Sequence, residues 1–214
     1  MVLLVILLTV TGLFAYAVGN TNTLILGSRY IYHRSLYAYP RNNRGLTLFL
    51  KDSTRKQMFE LVLMEVVRDA FPVLLGGWLM SKYNTTHLGC AFAMFCLLLG
   101  NNFPIMYRFK GQPSLVTFAV ASICVYTQLG LAVIFVYLIV YFISRYISLS
   151  AIVAAFAAFV LSIIALDNTI VHWLFLACFV LVVIEYRKNI LRLFRGKEPK
   201  WRYKKDISYM FDEK

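Results

Sequence analysis

The sequence predicts an all-α integral membrane protein with about seven transmembrane helices, several of them short, the N-terminus outside and the C-terminus cytoplasmic. Three observations predict this class. Hydrophobic residues make up 60% of the 214 and charged residues only 15%, against roughly 45–50% and about 25% in soluble domains. The apolar residues fall into runs of membrane-spanning length broken by short polar stretches. The basic residues are distributed unevenly between the segments that join those runs. Together these exclude a soluble globular enzyme, a disordered chain and a conventional nucleic-acid-binding domain, although the net charge is +12 and the pI about 9.7.

The first run, residues 2–18, has no basic residue ahead of it and no small-residue cleavage pattern behind it, so it is expected to be a retained span rather than a removable leader. Residues 19–56 are polar. Tyr30, Tyr32, Tyr37 and Tyr39 alternate there with Arg29, Arg34, Arg41 and Arg44, which suits a segment at the headgroup boundary. The second span, residues 58–80, is interrupted by Glu60, Glu65, Arg68 and Asp69, so it is expected to carry charge at membrane depth. Glu65 and Arg68 are three apart and can pair on one helix face, with Pro72 loosening the backbone just beyond. A third span covers about residues 85–100. The apolar stretch 115–143 is too long for one comfortable span, and Tyr126-Thr127-Gln128 marks where it should divide into two. Spans at 150–166 and 169–185 follow, separated by Asp167-Asn168.

With the N-terminus outside, 20 of the 22 Lys and Arg residues fall in inner segments; only Arg68, within a span, and Lys82 do not. Positively charged loops stay cytoplasmic, so topology accounts for most of the basic excess without nucleic acid. The chain divides into a membrane domain at 1–198 and a basic aromatic cytoplasmic tail at 199–214. Cys90, Cys96, Cys124 and Cys178 all lie in apolar runs without paired or ligand-like spacing, which reads as free thiols. No metal or cofactor is expected. The sequon Asn84-Thr85-Thr86 would be external and is a weak three-residue pattern.

Three cytoplasmic patches are suited to phosphate. In Arg41-Asn42-Asn43-Arg44-Gly45-Leu46-Thr47, two guanidinium groups bracket small and polar residues whose backbone N–H groups can face an anion. Arg108, Lys110 and Gly111 form a basic turn just ahead of the positive dipole end of a span. Arg187 to Glu198 follows the last span and holds Asn189 and Arg192. Arg68 could reach the same anion from the second span. His33, His87 and His172 lie in the interfacial stretch or near outer span ends, away from the second and third patches, where a general base for hydroxyl chemistry would be wanted.

At these patches the chain resembles the bacterial acyl-phosphate:glycerol-3-phosphate acyltransferases, the PlsY family, almost end to end. That family closes its first span on Tyr-x-x-Gly-Ser, for which Tyr16-Ala17-Val18-Gly19-Asn20 stands here; Asn43, Gly45 and Thr47 agree with its Ser-Gly-Asn-x-Gly-Ala-Thr-Asn motif. Its acidic and basic pair before a proline is matched in character by Glu65, Arg68 and Pro72. Gly100, Phe103, Pro104, Phe109, Lys110, Gly111 and Thr117 agree with its Gly-His-x-Phe-Pro and Phe-Lys-Gly-Gly-Lys-Gly-Val-Ala-Thr segments. The segment 144–150 resembles its Thr-Arg-Tyr-Val-Ser-Leu turn, and Asn189, Ile190, Arg192, Leu193, Gly196 and Glu198 nearly complete its last motif.

The resemblance implies transfer of an acyl group from acyl-phosphate to the 1-hydroxyl of glycerol 3-phosphate, giving lysophosphatidate in a bacterial plasma membrane. The site residues it implies, with the cations above, are Arg41, Asn43, Gly45, Thr47, Arg68, Arg108, Lys110, Gly111, Asn189, Arg192 and Glu198. Yet Arg41 stands where the family has Ser, Asn101 and Tyr186 where it has His, and Pro113 where it has Lys. Proline also removes a backbone N–H from the phosphate turn. The sequence therefore predicts a non-catalytic relative that binds lipid or a partner protein, with an active acyltransferase as the alternative.

Overall fold

The structure is a computed structural model, and it describes residues 2–27, 54–107, 111 and 114–194. The helices among these residues are α1 (Val2–Gly19), α2 (Thr23–Leu26), α3 (Arg55–Ser81), α4 (Thr86–Asn102), α5 (Leu115–Val125), α6 (Thr127–Ser144), α7 (Ile147–Ala165), α8 (Thr169–Glu185) and α9 (Arg187–Phe194), with a 3-10 turn at Ile105–Tyr107. No strand occurs among the described residues. Three helices are long and apolar enough to cross a membrane, namely α1, α6 and α7; α5 and α8 are shorter apolar helices.

The central helix is α4, which packs against α1, α3, α5 and α8. Small residues make those contacts close. On α1, Thr11, Gly12, Ala15 and Gly19 are buried along one stripe. A Cβ on Gly19 would overlap the carbonyl of Leu97, and one on Gly100 the carbonyl of Tyr16, so the two backbones touch where α1 and α4 end together. A second close approach joins α3 to α4, where a Cβ on Gly89 would meet the Gly76 carbonyl and the Met80 side chain. Without a hydrophobic drive between helices in lipid, such backbone proximity is what supplies packing energy. Ala151, Ala154, Ala155 and Ala158 give α7 the same kind of face. Large apolar side chains point outward instead: Leu13, Trp78, Phe135, Phe142, Ile164 and Trp173 are all exposed on the bundle surface.

Helix boundaries follow local chemistry. The expected division of the long apolar stretch falls at Tyr126, whose extended backbone ends α5, and Gly130 lies against the backbone of Ile123, so the chain reverses at that point. Between α6 and α7 the left-handed position falls on Arg145 (φ 61°), and between α3 and α4 on Asn84 (φ 55°), a residue type that tolerates it. Asn168 caps α8 by accepting the Ile170 N–H at 3.0 Å. At the start of α3 the Gln57 side chain accepts the Thr54 N–H at 2.9 Å.

One expectation changes: the second span is longer than 58–80, since α3 has 27 residues and extends about 40 Å. Arg68, midway along it, lies level with the ends of α1 and α4, where it contacts Thr21 and Asn101. The 11 residues of α5 cover only about 16 Å, roughly half a hydrocarbon core. The four cysteines are free thiols, Cys90 and Cys178 buried and the other two partly so. Residues 28–53 of the interfacial segment and the tail lie outside the described residues.

Candidate functional site

The polar groups of the bundle gather where α1, α4 and α8 end and α5 begins. Arg68 is the centre of one cluster. Its Nε and Nη2 donate to Asp69 Oδ1 at 2.8 and 2.6 Å, and its Nη1 donates to the Thr21 carbonyl at 2.7 Å. Nη2 also lies 3.4 Å from Asn101 Oδ1 and 3.9 Å from Glu65 Oε1. The Glu65 pair expected from three-residue spacing is therefore present as the longest of these contacts, and the adjacent Asp69 is the closest partner. A flexible arginine stem can fold back on its neighbour, which helical spacing rules for shorter contacts do not anticipate.

Burial explains why Arg68 is held by so many partners. Asp69 is fully enclosed, Asn101 is 1% exposed and Thr117 is fully enclosed. An ion removed from water is tolerated only when paired and hydrogen-bonded. Asn101 serves both sides, since its Oδ1 faces Arg68 while its Nδ2 donates to Thr117 Oγ1 at 2.6 Å. Thr23 Oγ1 and Asp69 Oδ2 are the enclosed oxygens near this cluster without a hydrogen-bond partner. Pro72 cannot donate to the carbonyl of Arg68, one turn behind it, which frees that backbone at the same level.

The second cluster joins α5 to α8. Ser114 precedes α5, and its N–H donates to Glu185 Oε1 at 2.9 Å while its hydroxyl donates to Glu185 Oε2. Asn102 Oδ1 lies 3.5 Å from the same hydroxyl oxygen. Gly111 passes across the end of α4 so closely that a Cβ would overlap the carbonyls of Asn101 and Asn102. Only glycine fits there. The stretch leading to it is docked on α1, with the Tyr16 hydroxyl donating to the Phe103 carbonyl at 3.0 Å and the Met106 N–H donating to Asn20 Oδ1 at 3.3 Å.

Of the residues expected in the site, Arg68 and Gly111 meet through Asn101 and Asn102. Asn189 and Arg192 lie on α9, which begins two residues after Glu185 and packs on α7 and α8; Asn189 is half-buried and Arg192 exposed. Arg41, Asn43, Gly45, Thr47, Arg108, Lys110 and Glu198 lie outside the described residues. Sequence reasoning missed Glu185 and Thr21 as participants; Thr117 entered only as a motif match, and Ser114 only as the end of the second patch. No local pattern links Ser114 to Glu185; only the alternation of helix direction brings the start of one and the end of the other to the same side.

Both described histidines are at the opposite end. His87 Nδ1 donates to the Val125 carbonyl and His172 Nε2 to the Leu166 carbonyl, each at 2.8 Å, so each ring satisfies the last turn of a neighbouring helix. Around Arg68 and Ser114 the described ionisable groups are one guanidinium and three carboxylates, Glu65, Asp69 and Glu185. Among the described residues no group of three His, Cys, Asp or Glu side chains is placed to hold a metal.

Comparison with known proteins places this arrangement. A family model described as glycerol-3-phosphate acyltransferase matches residues 9–196. A glycerol-3-phosphate acyltransferase of Burkholderia pseudomallei (strain K96243) is 32% identical over 195 residues, covering 89% of this chain and 94% of that one. One from Burkholderia multivorans is 29% identical, covering 88% of each. The fold agrees with two crystal structures of PlsY, an integral membrane glycerol 3-phosphate acyltransferase, each 20% identical. The glycerol 3-phosphate form gives a TM-score of 0.71 over 96% of this chain and 99% of that one, and the lysophosphatidic acid form gives 0.72 over 91% and 95%. The chain is an integral membrane protein and belongs to the glycerol-3-phosphate acyltransferase family.

Proposed function

We propose that this chain is a non-catalytic member of its family, which keeps the membrane fold and uses the end of the bundle at Asn101 to bind a lipid or a partner protein. The observation that carries the reading is the fate of Asn101. It stands where the family resemblance places a histidine, and its amide is spent on Thr117 and Arg68 in a closed polar network. An amide cannot take a proton near neutrality, and the two described histidines, His87 and His172, are bound to backbone carbonyls at the far end, while His33 lies outside the described residues. Losing a positioned acid or base typically costs about 10²–10⁴-fold in rate. Arg41, Pro113 and Tyr186 stand where the resemblance expects Ser, Lys and a second His, while Asn43, Lys110, Asn189 and Glu198 are kept.

That end faces the cytoplasm in this reading, with seven spans and the N-terminus outside, as the distribution of basic residues favours. The 15 residues from His87 to Asn101 span about 21 Å, less than the ~30 Å of a hydrocarbon core. The Asn101 end is thereby recessed below the headgroups, open to the headgroup of a lipid. The membrane is the bacterial plasma membrane, and the basic tail at 199–214 lies on its surface.

A second reading is favoured by relatives 32% identical over 94% of their length that are named glycerol-3-phosphate acyltransferases. In it, Arg41, Arg44, Arg68, Arg108 and Lys110 bind phosphate, Asn43 and Glu198 position the acceptor, and acyl-phosphate and glycerol 3-phosphate give lysophosphatidate with a substrate phosphate as base. Incubating the purified protein in lipid with acyl-phosphate and labelled glycerol 3-phosphate decides between them. The non-catalytic reading expects product at the level of a protein-free blank while a Burkholderia relative is active in parallel; product above the blank establishes the second.

A further inference from the structure

The turn from α6 to α7 places an arginine where glycine would fit without strain. Arg145 has φ 61°, a conformation that a long side chain adopts only against steric resistance. Its side chain is exposed, and its guanidinium has no hydrogen bond or ion pair among the described residues. The described carboxylates are engaged or distant. Glu65 and Asp69 face Arg68, Glu185 faces Ser114, Glu60 is paired with Lys56, and Asp167 stands at the other end of α7. Arg187, at the start of α9, is likewise exposed and without a hydrogen bond or ion pair among the described residues, and α9 packs on α7. This end of α6 and α7 therefore presents positive charge that nothing described in the protein neutralises.

Helix length fixes the depth of that charge. From the break at Tyr126, α6 runs for 18 apolar residues and about 27 Å, close to the ~30 Å of a hydrocarbon core. Its far end, with Arg145 just beyond, therefore reaches the level of the headgroups. The helix leading to it is apolar on the outside: Leu131, Phe135, Leu138 and Phe142 recur at four- and three-residue spacing on one face, and all are exposed. Ile143, two residues before Arg145, is exposed as well. A cation directly above an apolar strip matches the two parts of a phospholipid, a phosphate and the chains beneath it. A free phosphate would use the cation and leave the strip unused.

We propose that Arg145 binds the phosphate of an anionic phospholipid at the α6–α7 turn, with the lipid's chains along the Phe135, Leu138 and Phe142 face of α6. The uncompensated charge of Arg145 and Arg187 selects a net-negative headgroup over a zwitterionic one. This contact uses other residues than the Asn101 end and holds whether or not the chain turns over substrate.

The test is microscale thermophoresis of the full-length protein in a neutral maltoside detergent. Dioctanoyl-phosphatidylglycerol is the ligand, and dioctanoyl-phosphatidylcholine and inorganic phosphate are the controls. The unaltered protein is compared with Arg145→Gly, Arg145→Lys and Lys82→Gln, the last removing an exposed cation at the opposite end of the bundle. The expected result is saturable binding of phosphatidylglycerol, with phosphatidylcholine weaker by about five-fold or more and no saturation by phosphate at the same concentrations. Arg145→Gly weakens phosphatidylglycerol binding about five-fold, Arg145→Lys keeps most of it, and Lys82→Gln leaves it unchanged. Because glycine suits φ 61°, Arg145→Gly should keep or raise the thermal midpoint, which separates loss of the contact from loss of the fold. Should that variant nevertheless misfold, Arg145→Gln decides by the same comparison. Unchanged affinity in the Arg145 variants, an equal loss in Lys82→Gln, or equal binding of phosphatidylcholine overturns the inference. Inorganic phosphate bound as tightly as the lipid would also overturn it, by showing a site for a free anion.

Discussion

At the scale of residues the decisive contact is Arg68 with Asp69. Removing one member of an enclosed ion pair leaves the other charged and unpaired, at a cost of about 3–5 kcal/mol, whereas replacing both by apolar groups is often neutral. Asp69→Ala is therefore expected to lower the thermal midpoint in detergent sharply, and Arg68→Met with Asp69→Leu to recover most of the loss. A double variant as unstable as the single would show that the pair does not act as a unit. The sequence made the charged group on the second span visible but not its geometry. Glu65 at three-residue spacing was the evident partner, while Asp69 depends on how an arginine stem folds back. Asn101 was legible as a departure from a motif, yet its double engagement with Arg68 and Thr117 needed three helices in place. Tyr16 and Asn20 likewise appeared as a pattern, and only the structure gives them partners in the stretch after α4.

Among the helices, the close approaches at glycine decide how the bundle is assembled. Gly76 and Gly89 bring α3 onto α4 with their backbones in contact. Gly89→Val would push a branched side chain against the Gly76 carbonyl and Met80. Overpacking costs about 1–3 kcal/mol or more when the obstructing atoms are backbone. The expected outcome is loss of the folded monodisperse species on size-exclusion chromatography. The same change at the exposed position Leu131 of α6 should leave the elution profile unaltered, and a stable Gly89→Val protein would contradict the packing described here. Most boundaries were readable because apolar runs and polar breaks are local: α8 begins at Thr169 and ends at Glu185 as the sequence indicated, and the long apolar stretch divides at Tyr126. The start of α3 was not, because Arg55, Lys56 and Gln57 are polar residues that a hydrophobic run omits and a helix with a Thr54 and Gln57 cap includes.

For the molecule as a whole, the proposed topology of seven spans with the N-terminus outside makes a labelling prediction. Cysteine introduced at Asn84 should react with an impermeant maleimide in intact cells, and cysteine introduced at Arg187 only after permeabilisation, in a background lacking the four native thiols. The reverse pattern would invert the topology and move the Asn101 end to the outer face. Fold and chemistry separate at this scale. Helix packing by small residues can survive wide sequence change, because it asks only that backbones approach, whereas acyl transfer asks for particular groups at particular atoms. The most direct measurement is turnover of acyl-phosphate with labelled glycerol 3-phosphate by the unaltered protein, run beside a variant carrying Arg41→Ser, Asn101→His, Pro113→Lys and Tyr186→His. The account predicts lysophosphatidate at blank level from the unaltered protein and above blank from the variant; turnover by the unaltered protein at the rate of its Burkholderia relatives would contradict it.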